Sequence, residues 1–445
     1  MKRSIKEDAR EQALSIFQAG LAAADPRKLL GARFTEEPGI GWRYGTEPVF
    51  PFPGAGGRIL ILGAGKATGA LAGALEDELL SHGCSGRIIV KYGHGEPLTR
   101  VLVEEAGHPL PDEAGVKATE RLVNDLVDTK ASDRIFFALT GGASALLVAP
   151  APGLTLEDKV ATTDQLLRSG ATIQEINAVR KHLSSVKGGR LLEQMAPARV
   201  LAFVVSDVIG DDLSSIGSGP LVGDPTTFSD CLAILKRYEL EGRIPVPVGR
   251  RLREGALGRI PETPKPGTPV LELQRHIVLA SNRSSLLAAG EKAKRLGFEV
   301  EVFARDVQGD VHPCAREFAE RLAALARTGR RSALLAGGEL TLKVLGTGRG
   351  GRNQEFALVA SRHLSGVDRA WLLSAGTDGT DGPTDAAGAF VDGASWNRAR
   401  ELGLDPARAI SNNDAYPLFV ALGDIVRTGP TGTNVNDLVI GLTGL

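Results

Sequence analysis

Apolar and polar positions along this chain fall into two alternating rhythms. A short apolar run, RILILG at 58–63, leads at once into AGKATGALAGALEDELL, whose apolar residues recur three and four apart. Bounding glycines and short length make the first a strand, and the spacing makes the second a helix. The pattern then returns. RIIVKYG (87–93), VLVEEAG (101–107), RIFFALTGG (134–142) and RVLAFVVSD (199–207) predict strands, and PDEAGVKATERLVNDLVD and most of 155–195 predict helices. Strands alternating with helices imply right-handed βαβ units in a mostly parallel sheet, which binds ligands beyond the C-terminal ends of its strands. Proline and glycine in PETPKPGTP predict a linker over 257–269. A second series follows: RHIVLA, the helix RSSLLAAGEKAKRLG, FEVEVF, a helix over 313–327, SALLAGGE and AWLLSAG. The expectation is an α/β protein of two domains, 1–256 and 270–445, facing each other across a cleft. The chain opens on an amphipathic helix, and 37–57 reads as a loop rich in proline and glycine.

Composition narrows the class. A chain of 445 residues exceeds what one core usually supports. Lys plus Arg (52) and Asp plus Glu (53) nearly cancel, which argues against nucleic acid as a partner. Cys84, Cys231 and Cys314 stand far apart without a CxxC pair, so neither a disulfide framework nor a structural zinc site is indicated, and the compartment expected is reducing. No run of about twenty apolar residues offers a membrane span. A cytoplasmic enzyme is the expectation, with homo-oligomerisation left open.

The candidate chemistry lies at glycine-rich element boundaries. In GAGKATG, Gly63 and Gly65 let backbone N–H groups approach an anion, and Lys66 enters a helix just beyond them. An ordinary strand-to-helix turn explains the same residues. Gly141, Gly142 and Ser144 form a second such turn. Ser206 and Asp207 end a strand and are followed by Asp211, Asp212, Ser214 and Ser215, oxygen groups that suit Mg²⁺ or, equally, turn and cap chemistry. Around VRKHLSSVKGGRL the basic residues follow helical periods, so a solvated face is the first reading, with Lys187 before two glycines as the exception. The densest stretch is 346–385. There Glu339 precedes GTGRGGRNQE, in which Gly351, Arg352, Asn353 and Glu355 open a helix and Arg352 can offer a planar fork to a phosphate. Asp378, Asp381 and Asp385 could position Mg²⁺ or a hydroxyl, or could simply form Asp-Gly turns. Asn412, Asn413, Asp414, Thr433, Asn434 and Asp437 suit a small polyhydroxylated or carboxylated ligand, or loops that satisfy one another.

Taken in order, GAGKA, LTGGASALL, VRKHLSSVKGGRL, SDVIGDDLSSIGSGP, GGE, GRGGRNQEFAL, SAGTDGTDGPTDAAGAFVDG, NNDAYPLF and TGPTGTNVNDL resemble the class II glycerate 2-kinases, whose C-terminal part is the MOFRL domain, here from about 333. The resemblance implies a Rossmann-like three-layer N-terminal domain, a C-terminal α/β domain and an active-site cleft between them. It implies ATP- and Mg²⁺-dependent phosphorylation of D-glycerate to 2-phosphoglycerate. The family's invariant lysine matches Lys66 and its catalytic arginine matches Arg352. Some relatives carry the label hydroxypyruvate reductase, which keeps an NAD(P)H-dependent reductase as the alternative, with Gly63, Gly65 and Gly69 as a fingerprint and Lys91 near a 2′-phosphate. A non-catalytic sensor of small carboxylates would need only the binding loops.

Overall fold

The computed structural model describes residues 4–445, apart from the side chain of Pro48. The described residues divide into two compact units, 26–279 and 4–25 with 280–445.

In the first unit, the strands Ile59–Ala64, Ser85–Lys91, Val101–Ala106, Arg134–Thr140, Arg199–Val205 and Gln274–Ala280 build a six-stranded sheet. Numbered along the chain, they lie in the order third, second, first, fourth, fifth, sixth. The first five pair in parallel, with Ile61 beside both Gly86 and Phe136. This is the strand order of a Rossmann sheet, and the order reverses between Ile59–Ala64 and Arg134–Thr140. Helices and apolar side chains such as Leu62, Phe137 and Val204 bury the sheet.

Two expectations fail in this unit. The loop expected over 37–57 instead supplies two strands, Gly41–Tyr44 and Glu47–Pro51, of a three-stranded antiparallel sheet that begins with Phe34–Glu37. Its aromatic side chains Phe34, Trp42 and Phe50 pack edge-on against Phe136, and that burial overrides the glycines and prolines. The linker expected over 257–269 is also fixed within the unit. Asp224 donates its N–H to the Pro264 carbonyl at 2.8 Å, the Thr263 hydroxyl donates to the Asp224 carboxylate at 3.1 Å, and Lys265 donates to the Thr226 carbonyl. RHIVLA therefore does not open a second series; it supplies the last strand of the first sheet.

The second unit holds a mixed sheet in the order Glu299–Asp310, Ser332–Thr341, Asp437–Thr443, Ala370–Gly376, Gly388–Asp392, Ile425–Val426. Only the first pair is parallel. Helices Val311–Arg327 and Arg352–His363 cover one face of it, against Leu334, Leu372 and Val439. Helices Ile5–Ala22 and Asn282–Arg295 cover the other, against Leu335, Leu373 and Ile440. The opening helix thus belongs with the C-terminal residues and not with a domain over 1–256. Its stripe of Ala9, Ala13, Ile16 and Phe17 finds its apolar partner there. Among the described residues, no helix is long and apolar enough to cross a membrane.

Candidate active site

At the reversal point of the first sheet, the chain leaves Ala64 through Gly65, whose φ of +143° suits glycine and whose absent Cβ would lie 2.1 Å from the Thr140 hydroxyl. That close approach sets the next residues onto the neighbouring strand end. Lys66 donates its N–H to the Gly141 carbonyl at 2.8 Å, and Ala67 donates to the Thr140 hydroxyl at 3.1 Å. A Cβ on Gly142 would meet the Lys66 side chain at 2.9 Å and the His108 ring at 3.0 Å. Lys66 is the one partly exposed residue between 59 and 76, where every neighbour is buried. The structure therefore brings Gly65, Lys66, Gly141 and Gly142 together. Gly63 lies within the strand, packed against Ala138.

Beyond Gly142 opens a cavity of about 620 Å³, lined among others by Gly142, Ser144, Lys159, Arg180 and Lys187. The buried Lys187 ammonium donates to the carbonyls of Ser144 at 3.0 Å and Gly217 at 3.1 Å. Burial, reinforced by Lys159 and Arg180, holds its pKa well below the usual lysine value. The Ser144 and Ser218 hydroxyls share a hydrogen bond of 2.8 Å. The solvated basic face expected around 181–190 is not what forms. Lys181 and His182 are buried, with Lys181 ion-paired with Asp224 and His182 Nε2 hydrogen-bonded to Glu262 at 3.0 Å, because the helix carrying them packs inside the unit.

Ser206 is buried at the end of its strand and exchanges hydrogen bonds with Val208, a local turn. Asp207 follows it, half-buried. Asp212 accepts from the Ser214 N–H and from the hydroxyls of Ser214 and Ser215 at 2.7–3.0 Å, which makes it turn chemistry.

In the second unit, Arg352 stands where three strand ends converge. Strand pairing sets Asp437 opposite both Gly338 and Gly376. Asp437 accepts from Arg352 Nε at 2.6 Å and Nη2 at 3.1 Å, and Glu339 accepts from Nη1 at 2.8 Å. Burial opposes the guanidinium charge, but the two carboxylates outweigh it and raise the pKa above the ordinary arginine value. Arg352 is the one partly exposed residue between 351 and 361. Asn353 donates to Asp437 at 2.9 Å and accepts from the Ser374 hydroxyl at 2.8 Å. Glu355 is buried against His312 Nε2 at 2.9 Å, and burial raises its pKa. Sequence reasoning named Asp437 only as part of a polar cluster; its place at the head of a strand was the signal for its role.

The three aspartates of the Thr-Asp-Gly rhythm separate. Asp381 is buried and accepts from the backbone N–H groups of Asn353 at 3.0 Å and Gln354 at 2.8 Å, capping the Arg352–His363 helix from a distant loop. Asp385 is exposed and bound by Tyr416 and Arg427. Asp378 is half-buried and accepts from the Thr380 N–H and hydroxyl. Asn412, Asn413 and Asp414 clamp the glycine loop, their side chains accepting from the N–H groups of Thr347 at 3.1 Å, Leu345 at 2.8 Å and Arg349 at 2.8 Å. Thr433 and Asn434 are buried, and the Thr433 hydroxyl has no hydrogen-bond partner among the described residues. Among the described residues, no group of three or more His, Cys, Asp and Glu is placed to hold a metal ion.

A Rossmann-ordered sheet with a lysine at its reversal point in one unit, and in the other a sheet that fixes an arginine between carboxylates, define a two-unit α/β enzyme built to handle anions. Two family models match the chain: "Domain of unknown function (DUF4147)" over 12–253 and "MOFRL family" over 332–437. A glycerate 2-kinase of Pyrococcus horikoshii is 37% identical over 98% of both chains. A protein of Agrobacterium vitis that carries the provisional name hydroxypyruvate reductase is 38% identical over 97% of this chain and 93% of its own. The crystal structure of a Thermotoga maritima glycerate kinase superposes with a TM-score of 0.82 at 36% identity, covering 98% of this chain and all of that one. The chain belongs to the class II glycerate kinase family.

Proposed function

We propose that this protein is a glycerate 2-kinase, which uses ATP and Mg²⁺ to phosphorylate the 2-hydroxyl of D-glycerate. The observation that carries the reading is the shared setting of Lys66 and Arg352. Lys66 is the only partly exposed residue of a buried strand-to-helix junction, and Arg352 the only partly exposed residue in the buried first turns of a helix that follows a glycine pair. Phosphoryl transfer asks little covalent work of a protein and much charge neutralisation around the transferring group. Lys66 supplies an ammonium. Arg352 supplies a guanidinium whose position Asp437 and Glu339 fix in advance and whose charge they preserve at any working pH. Gly142, where a Cβ would lie 2.9 Å from the Lys66 side chain, leaves that side chain its room.

Mg²⁺ suits the donor set. Single half-buried carboxylates, Asp207 in one unit and Asp378 in the other, match an ion that keeps several waters and rests largely on nucleotide phosphates. When bound, it would neutralise charge on those phosphates. The three cysteines are free thiols, which fits a reducing, cytoplasmic setting.

The Rossmann strand order and the name of the Agrobacterium relative favour the reductase as second reading. That reading leaves the Arg352–Asp437–Glu339 group without a task. Phosphorus NMR of the products from D-glycerate and Mg-ATP, run beside a spectrophotometric assay with hydroxypyruvate and NADH or NADPH, separates the two. The expected result is 2-phosphoglycerate and no cofactor oxidation; oxidation without phosphorylated product would sink the kinase reading.

A further inference from the structure

We infer that the cavity of the 26–279 unit holds the phosphoryl donor, with its phosphates on Lys159, Arg180 and Lys187 and its base against the apolar wall. This deepens the kinase reading and rests on it. A cavity of about 620 Å³ lies in the range of about 300–1,000 Å³ found for sites of sizeable organic ligands. A three-carbon acid would leave most of it empty.

Charge points the same way. Lys187 and Lys159 are only 2% and 8% exposed. Their ammonium groups meet neutral acceptors alone in the structure: the carbonyls of Ser144 and Gly217 for Lys187, and that of Leu183 at 3.0 Å for Lys159. The carboxylate on the cavity lining, Asp164, pairs with Arg168 at 2.8 Å instead. Buried charge without a counter-ion is costly, and such an arrangement is stabilised by a ligand that brings the missing charge. The carboxylate of glycerate could answer one of the three cations, whereas a nucleoside polyphosphate answers all of them. The wall formed by Val148, Val160 and Leu167 offers a flat base an apolar surface. Position completes the case. Gly142 belongs both to this cavity and to the turn against the Lys66 side chain, so phosphates seated here end beside the lysine.

Binding of Mg-ADP to the full chain, measured calorimetrically without glycerate, tests the assignment apart from turnover. Arg180→Met and Lys159→Met are each expected to weaken ADP about 10- to 100-fold, the usual worth of a hydrogen bond to a charged group. The KM for D-glycerate should hold and the circular dichroism spectrum should stay unchanged, with Arg180→Lys recovering part of the affinity. Arg180 is partly exposed, so its variant keeps the test alive if a lysine variant fails to fold. Unchanged ADP affinity in folded Arg180→Met overturns the inference, as does an effect confined to the KM of glycerate, which would give the cavity to the acid. A wild-type chain that binds ADP yet forms no phosphoglycerate would instead remove the kinase reading and leave the nucleotide site standing.

Discussion

Arg352 is fixed before any substrate arrives, since Asp437 grips Nε and Nη2 while Glu339 takes Nη1. Asp437→Asn keeps the shape and removes the charge that orients the fork. It should lower kcat about 10²-fold, the scale of an ångström misplacement, while leaving nucleotide binding intact. Steady-state kinetics check this, and a wild-type kcat would show that Arg352 needs no such support. Lys159 gives a second expectation at this scale. Burial first, then Arg180 and Arg251, lowers its pKa to about 7 from the ordinary 10.5. The unfolded chain therefore binds more protons between those values, so stability without ligand rises with pH across that window. Bound phosphate favours the ammonium, so ADP affinity should fall as pH rises through about 7. Lys187, Arg180, His108 and Asp164 face the same cavity, and the ligand itself titrates. The decisive quantity is hence the difference in calorimetric pH profile between wild type and Lys159→Met, with parallel profiles counting against Lys159. The settings of Lys66 and Arg352 at element boundaries were legible because glycines flank them. Lys159 and Arg180 were not, because they sit at ordinary positions on helical stretches and only the fold turns them toward a common space.

The Arg352–His363 helix begins at Gly351, which has no side chain to cap it. A Cβ at Gly351 would lie 2.3 Å from the Asp381 carboxyl, so glycine lets the distant Asp381 take the capping position. Besides two backbone N–H groups, Asp381 accepts from the Gln354 side-chain amide at 3.0 Å. Asp381→Ala leaves these donors buried and unpaired, and should cost about 2–3 kcal/mol in urea unfolding. A loss within a few tenths of a kcal/mol would mean that the helix end finds another cap. Sequence spacing could not assign this role, because the start of the capped helix and the capping loop are separated by the helix itself and a strand. Similar limits hid whole strands. Asp437–Thr443 is buried on both faces, so DLVIGLT has no alternation to announce a strand, and the polar residues before it drew attention to ligand chemistry instead. The parallel strands of the first unit were legible because each holds a short apolar run, most of them closed by glycine.

The division into units follows burial and not composition. PETPKPGTP has the composition of a linker, yet hydrogen bonds to Asp224 and Thr226 hold it, while the change of unit falls between Leu279 and Ala280 with no compositional sign. At the other end, the opening helix reads as amphipathic but does not say which sheet it covers. Its close approach at Gly20, where Ser285 donates to the Gly20 carbonyl at 2.8 Å and a Cβ would lie 2.7 Å from Leu438, shows why it packs on helix Asn282–Arg295 and the central strand Asp437–Thr443. Phe17 is fully buried in that layer. Phe17→Ala should therefore cost about 3–5 kcal/mol, as large-to-small changes in cores do. Two units with separate cores need not unfold together, so the loss should be local. In native-state hydrogen exchange, amides of Asn282–Arg295 and Asp437–Thr443 should lose protection while those of Ile59–Ala64 and Arg134–Thr140 keep theirs. Equal loss in both sheets would mean that the opening helix stabilises the chain as one cooperative body, and that the two cores do not unfold independently.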